Sequence, residues 1–239
     1  MKSLLLTFDI EEYDAPRDLY KYNDLKLTKN EMFEFGRRGT EKIFQFLDQK
    51  EITATLFVTA TFAERYPKLI QETSKRYEIG LHGYSHGHDY WKMPLDKASD
   101  YIEGGKKILE SIIKKKVIGF RAPRMHPIPH KKLYELCFKY DSSYHPTYVP
   151  QRYNNFFKER KIHKRNGITV VPASVTPLIR LPFSYLWFRN FGINYARLCT
   201  LITSLADNYI CLYFHSYDFE DINKISPYLP IYFIKNTGE

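Results

Sequence analysis

Two histidines, His82 and His86, stand four residues apart directly after the short apolar run 79–81. Side chains at this spacing share one face of a helix or of a strand, so both imidazoles can reach one metal ion. A His-x-x-x-His pair alone is weak evidence, because eight histidines in 239 residues sometimes fall at this spacing by chance. The alternative is a solvated loop, so support for a metal site must come from other segments.

Acidic residues follow the apolar N-terminal run 4–8, at Asp9, Glu11 and Glu12. The run is typical of a buried parallel strand, and α/β enzymes place catalytic groups where such strands end. Two histidines and one carboxylate form a three-ligand centre with a position open for water, as in hydrolytic zinc sites. The alternative for the acids is a solvated loop or the N-terminus of a helix.

Two further apolar runs end in polar side chains. The run 117–120 is followed by Arg121, and the run 210–214 is followed by His215 with Asp218 three residues later. Because each group follows a strand-like run, one sheet or barrel can direct all of them into one cavity. The alternatives are a surface arginine at Arg121 and a core histidine bonded to a carbonyl at His215.

In chain order these segments resemble the five motifs of the NodB-type polysaccharide deacetylases, also called carbohydrate esterase family 4. The matching segments are Thr7-Phe8-Asp9, His82 to His86, Arg121-Ala122-Pro123, Asp141-Ser142-Ser143-Tyr144, and Leu212-Tyr213-Phe214-His215 with Asp218. The usual adjacent Asp-Asp pair is here Asp9-Ile10-Glu11-Glu12. This pattern is more similar to the branch whose metal-binding carboxylate lies two residues past the base, as in some peptidoglycan and lipid-linked-sugar deacetylases. Glu11 is therefore the first candidate for metal ligand, with Glu12 in reserve.

The residue types suit a metal-assisted hydrolysis. A divalent ion held by Glu11, His82 and His86 would lower the pKa of bound water and polarise the oxygen of an N-acetyl group. The expected ion is Zn²⁺, with Co²⁺, Ni²⁺ or Mn²⁺ as alternatives. Asp9 is expected to accept the proton of the water as general base, and Arg121 to pair with Asp9 and keep it ionised.

Amide cleavage also needs a proton on the leaving nitrogen, because an amide anion is a very poor leaving group. His215 suits this role, with Asp218 or a second carboxylate fixing its tautomer. The backbone N–H of Arg124 is expected to stabilise the oxyanion, and Tyr13 is assigned with it to substrate binding.

The predicted activity is therefore removal of an N-acetyl group from an amino sugar in a polysaccharide or a glycan precursor. One alternative is a deformylase or deacetylase of a polyprenyl-linked amino sugar, which uses the same chemistry. The other is a non-catalytic glycan-binding barrel, which would need neither Asp9 nor His215.

Helix and strand patterns alternate along the chain, which indicates a parallel sheet. The predicted helices are 30–50, 60–76, 94–115 and 129–138. The predicted strands are the N-terminal run and the segments 53–59, 78–81, 117–120, 169–172 and 210–215. The resemblance implies a distorted (β/α) barrel with about seven parallel strands. A chain of 239 residues, 44% hydrophobic and without linker or repeat, is expected to form a single domain over 1–239.

The net charge and the aromatic content indicate which classes of partner to expect. The formal net charge is +9 and 16% of residues are aromatic, but the positive charges are dispersed and no nucleic-acid motif is present, so nucleic acid is not an expected partner. The stretch 178–191 mixes large apolar and aromatic residues with arginine. It is interpreted as an element covering the core, as a peripheral membrane contact for a lipid-linked sugar, or as a sugar-stacking surface.

The remaining features concern location and thiols. The N-terminal apolar run is too short for a signal peptide and no stretch is long enough to cross a bilayer, so the expected location is the cytoplasm or the inner membrane surface. Cys137, Cys199 and Cys211 lack metal-type spacing and are expected to be buried thiols. The sequence does not determine the oligomeric state.

Overall fold

The computed structural model describes residues 3–14, 27–150, 152–222 and 229–238. The strands in these ranges are β1 Ser3–Ile10, β2 Thr55–Val58, β3 Glu78–Leu81, β4 Gly119–Phe120, β5 Tyr140–Asp141, β6 Tyr148–Val149, β7 Tyr153–Asn154, β8 His163–Arg165, β9 Ile168–Val170 and β10 Tyr209–His215. The helices are α1 Lys29–Lys50, α2 Ala60–Arg65, α3 Pro67–Thr73, α4 Leu95–Ile113, α5 His130–Glu135, α6 Tyr185–Ala206 and α7 Ile231–Ile234.

Eight of these strands form one curled sheet in the order β10-β1-β2-β3-β4-β5-β9-β8. The first seven are parallel to their neighbours, and β8 joins the edge antiparallel to β9. The curled sheet forms a half-barrel with helices packed on it, and the prediction of a distorted (β/α) barrel with about seven parallel strands is confirmed. The parallel strands all end at the same edge, which is where the polar residues follow them.

Helix α1 closes against that edge. It begins with a capping box, in which the Thr28 hydroxyl accepts from the Glu31 backbone N–H and the Glu31 carboxylate accepts from the Thr28 N–H. On its buried face, a Cβ added at Gly36 would lie 2.1 Å from the Glu11 carbonyl oxygen, and one added at Gly39 would lie 1.9 Å from the Ser216 carbonyl oxygen. Only glycine lets the helix backbone approach these two strand ends so closely.

The structure divides one predicted helix, and it contains elements that were not predicted, among them α6 and the two-residue strand β5. The helix predicted over 60–76 is divided into α2 and α3, because Pro67 has no backbone N–H to continue the hydrogen-bond ladder and instead begins a new helix. The stretch 178–191 overlaps α6, which was not predicted as a helix. Its aromatic residues have modest helix propensity, and Gly192 adopts φ 79 and kinks it.

Cysteine burial was predicted correctly for Cys199 and Cys211, but Cys137 is exposed. It follows α5 in a left-handed turn with φ 61, outside the packed face of the helix. No helix in the parts of the chain described here is both long enough and apolar enough to span a bilayer.

Candidate active site

The polar residues predicted from the strand ends meet at one edge of the sheet. Asp9 in β1 stands in register with His215 in β10. His82 directly follows β3, and Arg121 directly follows β4, its neighbour in the sheet. A cavity of about 850 Å³ opens at this edge, and Asp9, His82, His86 and His215 contribute to its lining.

Glu11, His82 and His86 form a buried cluster beside this cavity. One ligand atom from each lies within 4.8 Å of the other two. His82 Nε2 is 3.1 Å and His86 Nε2 is 3.7 Å from Glu11 Oε2. Neither Glu11 oxygen has a hydrogen-bond partner among the described residues, although both are buried. A buried carboxylate without partners is costly unless a cation compensates it.

The other ring nitrogens determine which tautomer each histidine adopts. His82 Nδ1 is 3.0 Å from the Arg121 carbonyl oxygen, which can only accept, so Nδ1 carries the hydrogen. His86 Nδ1 is 3.1 Å from Asp14 Oδ1, which accepts the hydrogen of this nitrogen. Nε2 of each ring is thus the atom that faces the Glu11 carboxylate, and it can offer its lone pair to a bound cation in place of a proton. Three converging electron-pair donors of this chemistry fit a single divalent cation.

The charges around His86 favour a cation at this position. Burial lowers the pKa of His86, but the negative charges of Glu11 and Asp14 outweigh burial and raise the pKa to about 10. The same negative field attracts a metal ion.

The two adjacent glutamates have different surroundings. Glu11 faces the histidines, whereas the Glu12 carboxylate accepts hydrogen bonds from the hydroxyls of Thr59, Thr61 and Ser85. Glu12 is therefore satisfied by hydroxyl donors and stands outside the three-residue cluster. Asp14, which sequence reasoning did not assign, holds the ring of His86.

Asp9 is buried and is hydrogen-bonded to Arg121. Arg121 Nη1 donates to Asp9 Oδ1 at 2.7 Å, while Asp9 Oδ2 lies 3.9 Å from His82 Nε2 and 3.8 Å from His215 Nε2. Burial raises the pKa of Asp9, but the positive charges of Arg121, His82 and His215 bring it below its usual value. The carboxylate is thus ionised, with one oxygen facing the cluster.

The Arg121 side chain makes several further hydrogen bonds, two of them to Ser142 in the segment after β5. Arg121 Nη2 donates to Thr7 Oγ1 and to Ser142 Oγ, both at 2.9 Å, and Nε donates to the Ser142 carbonyl at 3.2 Å. Its guanidinium lies 4.2 Å from the centroid of the Phe57 ring. The surface alternative considered for Arg121 is wrong, because the side chain is completely buried.

His215 lies between aromatic rings at the other side of Asp9. Its ring stacks on Tyr217 at a centroid distance of 4.8 Å and meets Tyr185 edge-on at 4.2 Å. Asp218 Oδ2 accepts the His215 backbone N–H at 2.9 Å but is 3.6 Å from Nδ1, and Asp218 Oδ1 is 3.4 Å from Arg189 Nε. Asp218 thus fixes the turn after β10, and the predicted carboxylate–imidazole hydrogen bond is not formed.

The two residues assigned to substrate contact have different positions. Arg124 contributes to the cavity lining, adopts a left-handed backbone with φ 62, and donates from Nε to the His86 carbonyl at 3.4 Å. Tyr13 is completely buried and packs against Phe35 and Tyr217, with ring centroids 5.1 Å and 5.3 Å away. Tyr13 belongs to the core and does not contribute to the cavity wall, so its assignment to substrate binding is withdrawn.

An aromatic wall forms much of the cavity and was not predicted as such. Six of its members are Tyr153, Tyr185, Trp187, Tyr213, Tyr217 and Phe233. Part of the stretch 178–191 lines the cavity, through Leu186, Trp187, Asn190 and Phe191. Two other residues of the stretch, Phe183 and Arg189, are buried. The only sequence signal for this wall was the aromatic density of that stretch.

His145 lies behind the aromatic wall. Its Nδ1 is 2.9 Å from the Tyr153 hydroxyl oxygen, and the rings of Trp187 and Tyr213 meet it edge-on at 5.5 Å and 5.6 Å. Burial, together with the positive charge of Arg121, lowers the pKa of His145 to about 3. The imidazole is therefore neutral and supports the wall.

The sequence profile of the polysaccharide deacetylase family matches residues 1–126, more than half of the chain. The chain belongs to this family. The matched segment carries Asp9, Glu11, both cluster histidines and Arg121, while His215 lies beyond it. No protein of curated function matches the chain in a sequence comparison.

Solved structures share the fold of this polysaccharide deacetylase family member at low identity. A protein described as a polysaccharide deacetylase from Mycobacterium smegmatis is 19% identical with a TM-score of 0.64, over 90% of this chain and 78% of that chain. The PuuE allantoinase is 18% identical with a TM-score of 0.61, over the same shares. A family 4 pseudoenzyme from Bacillus anthracis is 12% identical with a TM-score of 0.51, over 90% of this chain and 55% of that chain. These likenesses concern the fold alone.

Proposed function

We propose that this protein is a metal-dependent amidase that removes an N-acetyl group from an amino sugar. The observation that carries the proposal is the convergence of the Glu11, His82 and His86 donors beside Asp9 and His215 in one cavity. Membership of the polysaccharide deacetylase family supports the same reaction class.

The roles of the residues follow from their surroundings. A divalent cation bound by Glu11, His82 and His86 would supply an acidified water and polarise the acyl oxygen. Asp9 accepts a proton from the attacking water, because Arg121 keeps this carboxylate ionised and oriented. His215, 3.8 Å from Asp9 on the other side, delivers a proton to the leaving nitrogen. The backbone N–H of Arg124 is assigned to the oxyanion.

A non-catalytic barrel is the competitor from another class, and the pseudoenzyme relative is an instance of that outcome on this fold. The chain retains Asp9, Arg121 and His215 together, and a pure glycan binder has no use for a base held by a fully buried arginine. This combination favours the enzyme.

A second candidate substrate is an amino sugar that carries an acetyl or a formyl group and is linked to a polyprenyl lipid. It is favoured by the apolar residues in the cavity lining, among them Leu186, Phe191 and Phe233 together with Tyr232. Phe191 and Tyr232 are also exposed to solvent, so these two lining residues present apolar surface outside the protein interior. A hydrocarbon chain attached to the sugar would pack against these apolar side chains.

The experiment is a substrate panel for the Zn²⁺-loaded protein, with acetate and formate release as the readout. The panel contains N-acetylated oligosaccharides and lipid-linked N-acetyl and N-formyl amino sugars, and Asp9→Asn serves as the matched control. Release by the wild type but not by the variant supports the amidase, and the substrate that responds selects between the two candidates. No release by fully metallated protein from any member would favour the non-catalytic barrel.

A further inference from the structure

Helix α6 has an exposed apolar face as well as a buried one. Leu198, Leu201, Ile202 and Leu205 follow the i, i+3, i+4, i+7 spacing of one helix face, and all four are exposed, Leu205 by 78%. The opposite side of the helix is buried and packs against β10 through residues such as Cys199. Within the described residues, the outer stripe has no covering element.

Two loops with exposed apolar side chains are tied to this helix. Lys161 Nζ donates to the Ala206 carbonyl at 3.2 Å, and Arg160 pairs with Asp207, so the loop after β7 is fixed to the end of α6. Arg180 Nη1 in turn donates to the Lys158 carbonyl at 2.7 Å, which fixes the loop before α6 to the same place. The α6 surface is defined as Phe157, Leu178, Ile179, Leu198, Leu201 and Leu205.

The side chains of the α6 surface project from three separate segments. Phe157 is 90% and Leu178 is 89% exposed, the highest values among the large hydrophobic residues described. Apolar side chains that project this far do not line a groove for a peptide. They suit a soft apolar phase into which each can insert.

Charge is segregated over the same part of the chain. Residues 160–206 contain seven lysines and arginines and neither aspartate nor glutamate. Arg160 and Lys161 pair with Asp207, which directly follows α6, whereas Lys164, Arg165 and Arg197 are exposed, and Arg197 immediately precedes the leucine stripe. A second copy of this chain would bring two such positive regions together, which like-charge repulsion opposes. An anionic partner is complementary.

We propose that the α6 surface docks on an anionic lipid bilayer. Its leucines and loop side chains enter the headgroup region, and the exposed Lys164, Arg165 and Arg197 of the same part of the chain contact lipid phosphates. Because the first turns of α6 line the cavity, docking through its later turns holds the cavity beside the bilayer. The proposal does not depend on the reaction catalysed, and its test does not use activity.

The test is co-sedimentation of the whole protein with vesicles of phosphatidylcholine containing about one third phosphatidylglycerol, compared with pure phosphatidylcholine. We expect binding to the anionic vesicles that weakens as salt is added. Leu201→Gln with Leu205→Gln should weaken it about tenfold, since two leucines lose their partly buried apolar area. Lys164→Gln with Arg165→Gln should weaken it by about as much.

The matched control is Phe46→Gln with Leu95→Gln, which removes two exposed apolar side chains from α1 and α4, outside the α6 surface. It should bind the vesicles as the wild type does, and circular dichroism checks that all variants are folded. Equal binding to neutral vesicles, equal loss in the control, or no binding to anionic vesicles would each overturn the proposal. Concentration-dependent dimerisation that the leucine variant abolishes, without vesicle binding, would overturn it in favour of a self-interface.

Discussion

Asp9 and His215 stand side by side in register on neighbouring parallel strands, and Asp9 Oδ2 lies 3.8 Å from His215 Nε2. The pairing of β1 with β10 therefore brings the proposed base and the proposed acid together from opposite ends of the chain. Arg121 occupies the other oxygen of Asp9, so the carboxylate has one oxygen anchored and one directed to the cluster.

The first prediction concerns the metal ligands. His82→Ala, His86→Ala and Glu11→Gln should each lose stoichiometric Zn²⁺, whereas Glu12→Gln should retain it, because Glu12 faces hydroxyls and not the cluster. Asp14→Asn should weaken Zn²⁺ binding by roughly tenfold or more, since it orients His86. Elemental analysis and calorimetry provide the measurements, and metal loss in Glu12→Gln with retention in Glu11→Gln would reverse the assignment.

The second prediction separates the base from the metal. Asp9→Asn keeps the size of the side chain but cannot accept a proton, so turnover should fall roughly a hundredfold or more. Zn²⁺ content should remain near that of the wild type, because Asp9 is outside the three-residue cluster. Steady-state kinetics with metal analysis on the same preparation decide the matter, and near-normal turnover would move the base role to Glu12.

The third prediction tests His215 as the general acid. An amide needs its nitrogen protonated as it leaves, whereas an aryl acetate releases a phenolate without that help. His215→Ala should therefore reduce kcat/KM for an N-acetyl substrate by at least about tenfold more than for a matched aryl acetate. If both substrates lose equally at unchanged metal content, His215 has a structural role.

The fourth prediction uses a matched pair of glycines. Gly104 in α4 has no atom within 4 Å of an added Cβ, so Gly104→Ala should raise the free energy of unfolding by about 0.5–1 kcal/mol through helix propensity. Gly36→Ala, also helical, would place its Cβ 2.1 Å from the Glu11 carbonyl and should lower stability by about 1–3 kcal/mol. Urea unfolding measures both, and stabilisation by Gly36→Ala would contradict the close approach of α1.

The fifth prediction concerns acid stability. The pKa of His145 is lowered to about 3 in the folded chain, against an ordinary value of about 6.5 when unfolded. Between these values the unfolded chain binds a proton that the folded chain does not, so stability decreases as the pH falls through this window.

His145→Asn removes this titration. The loss of unfolding free energy between pH 7 and pH 5 should be about 2 kcal/mol smaller in the variant than in the wild type. Urea titrations at the two pH values provide the comparison, and parallel losses in both proteins would show that His145 is not buried as a neutral group.

Six of the seven parallel strands, with the polar residues that follow them, were predictable from the sequence, whereas the two-residue strand β5 was not. Local patterns suffice here, because an apolar run that ends in a polar residue specifies both a buried strand and the edge at which its end lies. The convergence of Asp9, His82, Arg121 and His215 follows from the rule that parallel strands end at one edge.

Other features depended on contacts between residues far apart in the chain. Glu11 and Glu12 are adjacent and chemically alike, and only the packed surroundings direct one to the histidines and the other to hydroxyls. Asp14 meets His86 across 72 residues, which no local pattern encodes. Tyr13 resembles a substrate contact in sequence, but core packing encloses it. The sequence by itself determined which side chains end the strands, and the tertiary structure decided their partners, because partners are set by packing in space and not by spacing along the chain.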